Sequence, residues 1–148
     1  MKYSLAILLA LYLAIVMTRF IPFARTPPPR PLAGIVPHHL FVADIIQDFF
    51  DTIRPHSFDN IVVIGPNHAE LGTETIVKNP QFEDQTLTSL KPYLDNTFPG
   101  VKLTTYLLKH SVSLSECFDL AQDLDELSGQ TLVIASIDFS HYLTSEQA

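Results

Sequence analysis

Six histidines and one cysteine set the metal and proton chemistry open to this chain of 148 residues. His38 and His39 stand together in PHH, His68 closes GPNH, and His141 lies in DFSHY. Imidazoles that converge without thiolates suit zinc, iron, copper or nickel. The single Cys117 excludes an internal disulfide framework and a cysteine-only zinc cluster. Two histidines plus a carboxylate, with open positions, form the non-haem Fe(II) arrangement. A further neutral imidazole beside a metal moves protons, because it titrates near neutrality. Asp138 precedes His141 by three residues. It either orients an imidazole through a hydrogen bond or accepts its own backbone amides in a turn. His110 stands just before Ser113-Leu-Ser-Glu116, which has the spacing of a capping box. A helix N-terminus disfavours a charged ring, so His110 is either a neutral site residue or a neighbour of the cap. His56 follows Pro55 in a loop and takes no role.

These side chains matter only if the fold gathers them. Residues 32–36 read as a short strand ended by Pro37. Over 40–54, apolar residues recur at 42, 45, 46, 49, 50 and 53 with Asp44, Gln47, Asp48 and Asp51 between them, which predicts a helix stopped by Pro55. The run IVVI at 61–64 suits a strand covered on both faces of a parallel sheet, and TLVIA at 131–135 reads as the last buried strand. Gly65-Pro66-Asn67 reads as a tight turn closing the first run; with one glycine and no following lysine it is not a phosphate loop. Residues 75–78 and 102–106 are weaker strand candidates, and 86–95 reads as a short helix. After the capping box, Leu114, Cys117, Phe118, Ala121 and Leu124 share one helical face, which makes Cys117 a core residue.

Strands alternating with helices predict an α/β fold with a mainly parallel sheet flanked by helices. Sites in such sheets form beyond the carboxyl ends of the strands. His38, His68 and His141 each follow a predicted strand, so one sheet edge can collect all three. The 30 residues from His38 to His68 match one strand–helix–strand unit.

The chain is 47% hydrophobic and 17% charged, which excludes both a disordered polymer and a polytopic membrane protein. Charge is segregated. The first 30 residues hold four of the nine basic residues and none of the sixteen acidic ones, leaving the rest near −11. So acidic a body repels phosphate backbones and argues against nucleic acid as a partner. Residues 5–17 (LAILLALYLAIVM) form an unbroken apolar run after Lys2. As a helix it covers about 20 Å, and extended to residue 23 it is long enough to span the ~30 Å hydrocarbon core. No small-residue cleavage site follows, so residues 1–23 read as an uncleaved signal-anchor in preference to a cleaved signal peptide. The three arginines beyond the run favour a cytoplasmic body, whereas a signal-type leader favours export. The proline-rich 24–31 segment is a stiff extended spacer, and 32–148 is the α/β domain.

GIVPHH (34–39), VVIGPNHAELG (62–72), KHSVSLSE (109–116) and VIASIDFSHY (133–142) occur in the order seen in the Memo-like family, which includes AmmeMemoRadiSam system protein B. The chain resembles that family over about 32–148. The resemblance implies the fold of class III extradiol dioxygenases, with His38 and His68 as metal ligands. The metal would be divalent, Fe(II) first, with Cu or Zn as alternatives. It also implies that His141 takes the acid/base position, that His110 matches the histidine of the family's E-H-S-x-E motif, and that a small molecule is the substrate. Lys109 and Ser113 replace the two glutamates of that motif. Family members run on for a comparable length beyond Ala148, so the resemblance makes this chain the N-terminal half. The other half would supply the third metal ligand and the rest of the sheet. A non-catalytic binding module on the same fold is the alternative expectation.

Overall fold

The structure, a computed structural model, describes residues 33–137. The predicted leader at 1–23, the spacer at 24–31, Asp138 and His141 lie outside the described residues. Among the described residues no helix is long and apolar enough to cross a membrane.

The chain alternates as predicted. Strand β1 (Ala33–Val36) leads through a 3-10 turn (Leu40–Val42) into helix α1 (Ala43–Ile53). Then come β2 (Asn60–Pro66), β3 (Ile76–Lys78), α2 (Gln85–Thr97), β4 (Lys102–Leu108), α3 (Leu114–Asp125) and β5 (Thr131–Ser136). The strands form one five-stranded sheet in the order β1-β5-β2-β4-β3. β1, β5, β2 and β4 are parallel, and β3 runs antiparallel to β4 at the edge. The result is a mixed, mostly parallel α/β sheet.

One face of the sheet carries the main core. Val36, Ile61, Val63, Leu132 and Ile134 point to it and meet Ile46, Phe50 and Ile53 of α1 and Leu90 and Leu94 of α2. The α1 residues recur at helical spacing, so one apolar stripe docks while Asp44, Asp48 and Asp51 stay in water. Phe50 is fully buried and its ring stacks on Tyr93 of α2 at 5.5 Å, joining the two helices. Full burial of one such side chain stabilises the fold by roughly 1.5–3 kcal/mol.

The opposite face is thinner. Val62, Tyr106 and Leu120 form its buried centre, with Leu124, Leu127 and Val133 packed around them. In TLVIA, Leu132 and Ile134 are buried, while Val133 and Ala135 are half-buried. One expectation is corrected here. Helix α3 does not bury Leu114, Cys117, Phe118, Ala121 and Leu124 together. It seats Leu120 and Leu124, with Leu127 just past its end, and this seam turns Leu114 and Phe118 outward to 79% and 68% exposure. Cys117 is half-buried at the margin of the seam and is not a core residue. Ser113 caps α3 in a full capping box with Glu116, as its spacing predicts.

Candidate functional site

Three adjacent parallel strands end at one edge. Val36 closes β1, Ser136 closes β5 and Pro66 closes β2, with β5 between the other two. Gly65-Pro66 is therefore not a turn. Both residues continue β2, paired with Leu107 and Leu108 of β4. Here the proline sits at the strand end, where a missing N–H is tolerated. The turn begins at Asn67, whose side chain accepts from Leu71 N–H at 3.1 Å and donates to Leu71 O at 2.7 Å. That staple fixes the loop carrying His68 and Glu70.

His38 and His68 each stand two residues beyond their strand and meet across the end of β5. Their Nε2 atoms are 3.2 Å apart, with the rings nearly perpendicular at 86°. His38 is fully buried, and its Nδ1 lies 3.1 Å from Ser136 Oγ. His68 Nδ1 donates to Asp84 Oδ1 at 3.0 Å, and its backbone N–H donates to Asp84 Oδ2 at 3.0 Å. Asp84 is also the N-cap of α2, accepting from Thr86 N–H at 2.9 Å. One carboxylate thus starts a helix and aims an imidazole. Burial pushes the Asp84 carboxyl up. The hydrogen bonds from the His68 ring and from the backbone of Thr86 and His68 outweigh that and hold it below the usual carboxylate range.

Gly65 lies under this junction. A Cβ built on it would stand 2.8 Å from Ser136 O and would collide with Thr86 Cγ2. The Thr86 hydroxyl donates to Pro66 O at 3.0 Å, tying the first turn of α2 to the end of β2.

The pair fits a shared ion. Two nitrogens bound at ~2.1 Å, with an angle of about 90–110° between them, stand about 3.0–3.4 Å apart. The observed 3.2 Å falls inside that range. Both Nδ1 atoms are held by other groups, the outer-shell pattern that orients ligating histidines. The same separation also admits an N–H···N hydrogen bond, so the two rings hold each other when no ion is shared. Among the described residues no group of three His, Cys, Asp or Glu side chains is placed to hold a metal.

His110 is brought to the same edge but not into the pair. It follows β4, is 84% exposed, and its Nδ1 lies 2.8 Å from Glu70 Oε1. The same oxygen accepts from His110 N–H at 3.0 Å. These hydrogen bonds hold the Glu70 carboxyl below its ordinary range. His110 and His68 both line an open cleft of about 650 Å³ whose other walls include Ile64, Pro66, Leu108 and Ile137. Lys109, the residue before His110, donates to Gly72 O at 2.5 Å.

The chain matches no family model, no curated protein and no solved structure. Its geometry must carry the functional reading.

Two supporting residues, Asp84 and Ser136, are not among the candidates the sequence offers. Asp84 carried a signal: an acid just before a helical pattern is an N-cap. Ser136 carried another. In TLVIAS the buried set is Leu132, Ile134 and then a hydroxyl, a polar group at a core position. Asn67, expected inside the turn, is the staple of the loop after β2.

Proposed function

We propose that the chain is a metal-site protein of the Memo-like type, with His38 and His68 as two ligands of one divalent ion. Fe(II) is the first choice, with Cu or Zn as alternatives. The observation that carries this is the 3.2 Å approach of two Nε2 atoms whose Nδ1 atoms are each held by a different partner. A bound ion supplies Lewis-acid polarisation and, with iron or copper, electron transfer. The chain's own residues do the rest. Asp84 keeps His68 in the tautomer that presents Nε2. His110, on the cleft wall, exchanges protons with a small-molecule ligand. His141, five residues beyond Ser136 in the chain, acts as the acid/base group, with Asp138 holding an imidazole. An extradiol dioxygenase-like architecture and a membrane tether through 1–23 belong to the same reading.

Anaerobic titration of the purified protein with Fe(II), Cu and Zn tests it. Uptake is expected near one ion per chain and is lost in the His38→Ala, His68→Ala double variant. Equal uptake by the two proteins would end the proposal. A second reading, a non-catalytic binding module, is favoured by the lack of a third ligand among the described residues. Ligand binding that survives chelation and both histidine substitutions would select it.

A further inference from the structure

We propose that Ser136 is the positioning residue that lets His38 change tautomer when the pair takes up an ion, its hydroxyl turning from donor to acceptor. This rests on the metal-site reading above. The starting point is Asp84, whose two oxygens already accept the backbone N–H groups of Thr86 and His68. His68 Nδ1 faces that acceptor at 3.0 Å and so carries the ring proton. A neutral His68 then presents a bare Nε2 lone pair.

That lone pair faces His38 Nε2 at 3.2 Å. Two bare lone pairs at this distance repel, so without an ion His38 holds its proton on Nε2 and donates it to His68. Its Nδ1 is then an acceptor, and the Ser136 hydroxyl, 3.1 Å away, donates to it. Donation runs one way through four side chains: Ser136 to His38, His38 to His68, His68 to Asp84.

An ion shared by the pair needs both Nε2 lone pairs. His38 must then carry its proton on Nδ1. One proton leaves Nε2 for water and one is taken up at Nδ1, so no net proton is released. The group facing Nδ1 has to donate in one state and accept in the other. A carboxylate only accepts and an ammonium only donates; a hydroxyl does both by rotating about its C–O bond. Ser136 is fully buried, as is His38, so a group of the wrong polarity would be stranded away from water at substantial cost. His68 needs no such partner, because Asp84 fixes the same tautomer in both states. The two ligands are therefore supported differently: one locked, one reversible.

Nitrogen-15 NMR of the histidine rings at pH 8 tests this on the full chain, with zinc as the diamagnetic probe and signals assigned against His38→Gln. His38 is expected as the Nε2–H tautomer without zinc and the Nδ1–H tautomer with it, while His68 stays Nδ1–H throughout. Ser136→Ala is expected to weaken zinc binding roughly 10–100-fold, and Ser136→Thr, which keeps the hydroxyl, to recover most of it. The tautomer measurement needs no variant, so poor folding of either one leaves it decisive. Zinc uptake through His38 and His68 with the His38 tautomer unchanged overturns the switch alone. Absence of zinc uptake by the wild type overturns the metal reading and the switch together.

Discussion

Two imidazole–carboxylate pairs among the described residues have nearly equal length and share a sheet edge, in opposite settings. His68 and Asp84 are 3.0 Å apart, with the Asp84 side chain 2% exposed. His110 and Glu70 are 2.8 Å apart, with the ring 84% exposed. Distance does not separate them; surroundings do. Asp84 accepts from three donors, caps α2 and is walled off from water, so its charge is felt at short range. Glu70 makes its bonds in solvent, where water competes for each partner and salt screens the charge. The pair with the buried carboxylate belongs to the architecture, although its His68 ring is 29% exposed, and the exposed pair decorates the mouth of a cleft.

The largest test of this contrast is Asp84→Ala. It removes a helix cap and strands the His68 ring donor, so a loss of about 2–4 kcal/mol in urea unfolding is expected. A loss below about 1 kcal/mol would show that burial adds little and the contrast is empty. Zinc affinity comes next. Asp84→Asn keeps the size but weakens the hold on His68, with an expected drop of about 10–100-fold by calorimetry. Glu70→Gln should leave zinc affinity within experimental error; a comparable drop there would put His110 among the ligands.

A smaller effect lies in pH. The Asp84 carboxyl is held below its ordinary range, so the charged form stabilises the fold above the unfolded-state value of about 3.9. That stability is lost as pH falls through the depressed folded-state value. The stability gap between wild type and Asp84→Asn should be full at pH 6 and narrow under acid; a gap constant down to pH 3 would contradict the assignment. The smallest effect is expected of Glu70→Gln on stability, an unfolding midpoint indistinguishable from wild type at moderate salt.

How far the sequence revealed this follows the range of the forces involved. The strand–helix alternation was legible because it rests on local periodicity, as in 42–53 and IVVI. His38 and His68 were legible as partners because parallel strands place their carboxyl ends together. The partners that hold them were not, since Asp84 is 16 residues from His68 and Ser136 is 98 from His38. Only the strand order brings β5 between β1 and β2. The α3 face differs from the expected one for a related reason. Leu114, Cys117, Phe118 and Ala121 look like a stripe, yet which stripe docks depends on where the sheet offers Val62 and Tyr106. Gly65-Pro66 looked like punctuation because both residues usually are; pairing with β4 kept them extended.

A single hydrogen atom in place of a methyl group governs the spacing of the two rings. Gly65 lets the first turn of α2 and the last carbonyl of β5 close together on one point of β2. The first of these follows the holder of His68 and the second belongs to the holder of His38. Adding a carbon at that point would work as a wedge, parting the imidazoles without altering either one.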